Sequence, residues 1–321
     1  MNYDEKAFVE GFGKSFANQL AKKSPDQISV EYNFMELTEH LTFIAEVFNT
    51  LQIELKGVGM EVAAGVGTFA CSLARLYPAV ERVYALDILP DVVHHLVPKI
   101  IEATNMQGRV IPMLGDFNDI KLPDNSLDFV VGYSSFHHSD DLPRTLKEVA
   151  RVLKPGGKLI FFDRAAPDSM PKAQEEWLLN KDYLRDFKIQ HGLDPDKPYT
   201  RGQNGEHEPR FRDYREGFAG AGLVQGPMAI FTQRSFKRFI KTIIQYIPYS
   251  VRAWYGRFQY LAESRKVLLF YLCPPLARRG KLRYYTLHMK LKTPAMAALM
   301  KYLVLTASKP GDSLKMNPAR D

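Results

Sequence analysis

The chain has 321 residues, 45% hydrophobic and 25% charged, which suits one large α/β domain with additions, or two small domains, and argues against a disordered or fibrous chain. Its two cysteines, Cys71 and Cys273, are too few and too far apart for a disulfide framework or a cysteine-based metal site, and they fit a reducing, cytoplasmic setting. The formal net charge of +7 is unevenly placed: residues 234–301 hold fifteen Lys and Arg against one acid, Glu263, so the remainder is net acidic.

In chain order, apolar residues at helical spacing predict two helices within residues 1–54. This start lacks the basic and apolar regions of a signal peptide. "GVGMEVAA" then reads as a short strand, "TFACSLARLYP" as a helix stopped by Pro78, "RVYALDI" as a second strand, and "PDVVHHLVPKIIEAT" as a helix with Pro90 near its start. "RVIPMLGD" and "LDFVVGYSS" are the third and fourth strands, "DDLPRTLKEVARVLKPGG" a helix with its stop signal, and "KLIFFDR" the fifth strand.

Strands alternating with helices predict a Rossmann-like, doubly wound and mostly parallel sheet, with the binding site beyond the carboxyl ends of the strands. Residues 65–68, 87–88, 116–117, 133–138 and 163–165 fall there. The core extends over 55–232 and carries a polar substrate loop at 192–210. A basic, aromatic and helical segment follows at 233–300, then a final strand at 301–310 and a tail at 311–321. Within the basic segment, apolar residues at 236, 239, 240, 243, 244 and 247 form one helical stripe. Apolar runs such as "VLLFYLCPPLA" are shorter than the ~20 residues that span a bilayer.

The stretch "EVAAGVGTFA" at 61–70 admits two readings. Gly65-Val66-Gly67-Thr68-Phe69-Ala70 fits the dinucleotide fingerprint G-x-G-x-x-G/A. Glu61 to Gly67 fits the E/D-x-G-x-G-x-G loop of S-adenosylmethionine sites, with Ala63 in place of the first glycine. Both readings use a helix N-terminus and an acid after the second strand, here Asp87.

The later residues separate them. Gly115-Asp116, "LPDNSLDFVV", "FHH" and "EVARVLKPGGKLIFFD" occur in the order seen in class I S-adenosylmethionine-dependent methyltransferases. Residues 55–165 resemble the small-molecule branch of that family. The N/D-P-P-Y/F/W tetrapeptide typical of nucleic-acid amino methyltransferases is replaced by Gly132-Tyr133-Ser134-Ser135, which argues against a nucleic-acid partner. The resemblance implies S-adenosylmethionine as cofactor. Glu61 would then support the loop, with Gly65 and Gly67 facing the methionine part, and Ala63, at the family's first glycine, would tighten the turn or shift the donor slightly. Asp87 would hold the ribose hydroxyls, Ile88 would lie against the adenine, and Asp116 would accept from the adenine amino group beside Phe117. Tyr133 would line the donor.

A hydroxyl acceptor benefits from a base with a pKa near working pH. The catalytic candidates are His137 and His138 after the fourth strand, Asp163 ending the fifth, and Glu206 and His207 in "GEHEP", with His207 preferred as base. No cluster has metal-ligand spacing. The expected activity is methyl transfer to oxygen of a small molecule, such as a sugar or lipid-linked glycan intermediate. A membrane-dissolved quinone or lipid acceptor and a non-enzymatic cofactor-binding scaffold are the alternatives. The basic segment 234–301 is expected to pack as a subdomain, to meet an anionic membrane on its inner face as a peripheral protein, or to steer an anionic acceptor.

Overall fold

The structure is a computed structural model that describes residues 44–45, 47–49, 51–166, 168, 170–190, 193–227, 229–233, 284–288 and 302–311. Among the described residues, nine strands form one sheet: β1 (Gly57–Val62), β2 (Val80–Asp87), β3 (Val110–Leu114), β4 (Leu127–Tyr133), β5 (Leu153–Asp163), β6 (Val224–Gln225), β7 (Ala229–Gln233), β8 (Tyr284–His288) and β9 (Tyr302–Ser308). The order is β3-β2-β1-β4-β5-β9-β7-β8, with β6 beside β9. The first five strands are parallel, and β9 runs antiparallel to both β5 and β7. The helices are α1 (Thr68–Leu76), α2 (Val97–Thr104), α3 (Leu142–Val152), α4 (Lys172–Leu179), α5 (Arg185–Gln190) and α6 (Phe211–Gly220).

The expected Rossmann-like architecture is present, and the expected final strand is β9. Two details differ from expectation. The helix expected over "PDVVHHLVPKIIEAT" opens with a wider π turn at Val92–Leu96 before α2. Residues 284–288, expected within a helical segment, are a strand paired with β7. Their "YYTLH" run is aromatic and β-branched, a composition that suits an edge strand better than a helix. The predicted N-terminal helices up to residue 43, the stripe at 236–247 and the tail beyond 311 lie outside the described residues. Among those described, no helix is long and apolar enough to cross a membrane.

The core has two layers because neighbouring strand residues point to opposite faces. Phe162 packs with Phe48, Phe69 and Tyr133 at ring separations of 6.1, 5.4 and 5.8 Å. Phe161 packs on the other face with Phe136 and Tyr214 at 4.4 and 5.2 Å. The first face is completed by Leu73, Val97 and Ile100, the second by Leu146, Val149 and Phe218.

The "EVARVLKP" stretch does more than fill the second layer. Arg151 donates to the carbonyls of Ile120 and Leu122 at 2.7 and 2.9 Å, and Glu148 accepts from the Ile120 N–H at 3.1 Å. These bonds anchor α3 to the loop that follows Asp116 and Phe117. The Arg151 hydrogen bond is the main reason that the Glu148 carboxyl lies below its ordinary range.

Candidate active site

Strand β1 ends in a turn built from left-handed backbone: Ala63 has φ 48°, Gly65 φ 52° and Gly67 φ 79°. Gly67 caps α1, whose first turn holds no acid, so its N–H groups face the strand ends with the positive end of the helix dipole. A side chain added at Gly65 would meet no atom within 4 Å, so the backbone there is open to a ligand.

The Asp87 carboxylate, at the end of β2, holds the turn in place. Its Oδ2 accepts from Gly65 N–H at 2.7 Å and its Oδ1 from Leu89 N–H at 3.0 Å. Burial raises its carboxyl to about 6, against the lowering effect of the N–H groups of Leu89, Gly65 and Ile88. Glu61 is buried under the same turn, and its Oε2 accepts from Ala70 N–H at 2.8 Å, satisfying one free donor of α1. Burial pushes its carboxyl well above the ordinary range, opposed by the Ala70 bond and reinforced by the charge of Asp87.

Ala63 occupies a conformation that costs an L-residue roughly 1–2 kcal/mol. Ala63→Gly should remove this strain, less about 0.4–1 kcal/mol for the freer unfolded chain. A higher urea midpoint at unchanged slope is the expected result. A lower midpoint would show that the methyl group packs usefully in the turn.

The other expected donor residues also lie at strand ends. Ile88 is half-buried against the first core layer and Phe117 against the second. Asp116 Oδ1 accepts from Asn118 N–H at 2.7 Å, which fixes a local turn. The Tyr133 ring, at the end of β4, lies 5.4 Å from that of Phe69 in the first turn of α1. The end of the fourth strand thus packs on the first turn of α1. Ser134 follows with φ 54°, a second sparsely populated conformation at the same rim.

Beyond β4 and β5 the polar groups converge. His137 and His138 sit on a short 3-10 turn, Phe136–His138. His137 Nδ1 lies 2.6 Å from Asp163 Oδ1, and its backbone N–H donates to Asp163 Oδ2 at 3.1 Å. Burial would raise the Asp163 carboxyl, but His137 and Arg164 outweigh it and hold the group below its ordinary range. His138 Nδ1 is 3.1 Å from the Gly205 carbonyl. Burial, then the charge of His137, pushes His138 down to about 3.

The loop at 193–210 folds back over these strand ends. An isolated bridge joins Ala166 to Arg210, and the His207 N–H donates to the His137 carbonyl at 2.8 Å. Arg164 and Arg201 both donate to Glu206 Oε2, at 2.7 and 2.6 Å, and Arg201 also reaches Glu208. Tyr183 donates to the other Glu206 oxygen. Burial would raise the Glu206 carboxyl, yet the two arginines take it down to about 2.

Glu206 is therefore the anionic centre of an ion-pair cluster, a poor arrangement for a base. His207 turns outward: its side chain is 37% exposed, and Nε2 meets Asp140 Oδ1 at 2.8 Å. Arg164, Arg201, Glu208 and Tyr183 were not anticipated. The usable signal was the alternation of both charges within "TRGQNGEHEPR", which is denser than a solvated loop needs.

Residues 60–161 match a family described as a methyltransferase domain. The chain is similar to the glycine/sarcosine/dimethylglycine N-methyltransferase of Actinopolyspora halophila, 34% identical over 39% of this chain and 22% of that protein. It is also similar to the demethylmenaquinone methyltransferase of Geobacillus kaustophilus, 26% identical over 44% of this chain and 62% of that one. The chain thus spans less than two thirds of either curated relative. Among solved structures, it is similar to phosphoethanolamine N-methyltransferase 2 of Haemonchus contortus in complex with S-adenosyl-L-methionine. That match has 13% identity and a TM-score of 0.47, and covers 92% of this chain and 60% of the other.

Proposed function

We propose that this chain, which carries a class I S-adenosylmethionine-dependent methyltransferase domain over residues 60–161, methylates an oxygen of a small molecule such as a sugar or lipid-linked glycan intermediate. The observation that favours this donor over a dinucleotide is Glu61, buried beneath the open glycine turn and accepting from Ala70 N–H at 2.8 Å, whereas Asp87 would serve either cofactor. Residues 57–74 contain no lysine, arginine or histidine. The sheet agrees, because the dinucleotide-binding order continues past its fifth strand with another parallel strand, whereas β9 beside β5 is antiparallel.

The residues present fit the cofactor. Gly65 and Gly67 would admit its methionine part, Asp87 has lone pairs left for two ribose hydroxyls, and Asp116 would accept from the adenine amino group. When bound, the cofactor supplies a methyl group already activated on a sulfonium. The protein contributes alignment and a dry, shaped site, and positioning alone is worth several kcal/mol.

Oxygen is favoured as the acceptor atom by the imidazoles and carboxylates gathered beyond β4 and β5, since a hydroxyl needs its proton removed and an amine needs less help. A second reading is a membrane-dissolved acceptor, supported by the density of positive charge at 234–301. One experiment addresses both. The full chain is given S-adenosylmethionine and a panel of phenols, polyols and primary amines, in buffer and in neutral or anionic vesicles. Release of S-adenosylhomocysteine with hydroxyl compounds is expected. Turnover on amines alone would overturn the oxygen assignment, and turnover only in anionic vesicles would favour the second reading. No release under any condition would favour a scaffold.

A further inference from the structure

We propose that His137, oriented by Asp163, is the group that takes the proton from the acceptor hydroxyl. This rests on the reading above and selects one base among five candidates. Asp163 is the last residue of β5, one past the Tyr133–Phe162 pair that ends the register with β4. It holds His137 at two points, through the ring and through the backbone N–H. Its remaining bond, from Arg164 N–H at 2.8 Å, completes the anchoring.

A carboxylate can only accept, so the ring proton of neutral His137 sits on Nδ1 and the lone pair is on Nε2. That nitrogen makes no hydrogen bond among the described residues, and it is absent from the sealed, unpartnered atoms, which are Ser135 Oγ, Arg164 Nε and Arg210 Nε. Nε2 therefore keeps its lone pair unbonded among the described residues, on a side chain that is 7% exposed. An acceptor-only partner that selects the tautomer of an imidazole is the arrangement expected of a base and its orienting group.

The other candidates fail on their contacts. His207 is paired with Asp140 at the surface, where both side chains are more than a third exposed and water screens the pair. Glu206 is held by two arginines and a tyrosine. His138 turns its Nδ1 to the neutral Gly205 carbonyl at 3.1 Å, which carries no charge to stabilise an imidazolium, and it stacks on His137 at 4.3 Å. Tyr133, four residues before His137, packs on Phe69 in the first turn of α1. In the reaction, the acceptor O–H bond breaks and its proton moves to His137 Nε2. The oxygen lone pair forms the O–CH3 bond, and the S–CH3 bonding pair stays on sulfur as a neutral thioether. The imidazolium then passes its proton to water.

The test uses the full chain saturated with S-adenosylhomocysteine and treated with diethyl pyrocarbonate, with modified nitrogens mapped by peptide mass and 15N NMR. His137 should be carbethoxylated at Nε2 while the protein is still folded. Asp163→Asn should slow that modification at least tenfold, because an amide can donate to Nδ1 and place the proton on Nε2 instead. A purely structural tie predicts that His137 is untouched until the protein unfolds. That result would overturn the proposal, as would equal rates in wild type and Asp163→Asn. The wild-type arm decides even if the variant does not fold. Loss of S-adenosylhomocysteine binding would instead count against the donor assignment, so the two failures are distinguishable.

Discussion

Asp87→Ala is expected to weaken S-adenosylmethionine binding by one to two orders of magnitude. Each hydrogen bond to a charged acceptor contributes about 1.5–3 kcal/mol, and the substitution removes both the acceptor for ribose hydroxyls and the carboxylate that holds Gly65 N–H at 2.7 Å. The same group makes binding pH-dependent. Its carboxyl is raised by burial from 3.8 to about 6, and protonation turns one acceptor oxygen into a donor. Donor affinity of the wild type should therefore fall as pH drops from 7 to 5, and the Ala variant should lose that dependence. The sign for stability is opposite. A carboxyl raised on folding binds its proton more tightly in the folded state, so its contribution to stability declines as pH rises from about 4 to about 6. Titration calorimetry at several pH values checks the first effect. Unchanged affinity in a folded Asp87→Ala protein would remove Asp87 from the site.

Glu206→Ala should be the most destabilising change in the acceptor half of the molecule, at about 3 kcal/mol. It leaves Arg164 and Arg201 without their shared carboxylate, in a cluster where their side chains are 28% and 17% exposed. Glu208 remains as a partner for both, which places the cost at the lower end for a broken buried pair. Tyr183 loses its acceptor as well. Urea unfolding should show a lower midpoint with an unchanged slope. A loss under about 1 kcal/mol, the range of exposed pairs, would mean that water already solvates the cluster.

The sheet was legible in the sequence because each of its first five strands is a short apolar run bounded by turn residues, and each helix between them keeps its apolar stripe. The turn at 61–70 was legible for a related reason: only glycine takes left-handed backbone cheaply, so Gly65 and Gly67 mark it. Ala63 shows the limit of that logic, since its φ of 48° is imposed by the surrounding turn rather than chosen by the residue. Within the acceptor half, residue types were readable but partners were not. His207 and Glu206 are adjacent in the chain, yet one faces Asp140 at the surface and the other is enclosed by residues from 164, 183 and 201. These contacts join segments up to 67 residues apart, and a loop sequence carries no periodicity from which to infer them. The strand at 284–288 was obscured by its basic surroundings, which drew the reading towards a helix.

The central claim is that the glycine turn at 61–70 takes S-adenosylmethionine, and not a dinucleotide. Calorimetric titration of the wild-type full chain with S-adenosylmethionine, and separately with NAD, tests it most directly. Saturable one-to-one binding of S-adenosylmethionine with no heat from NAD is the predicted result. Saturable binding of NAD, or no binding of S-adenosylmethionine at pH 7.5, would contradict it.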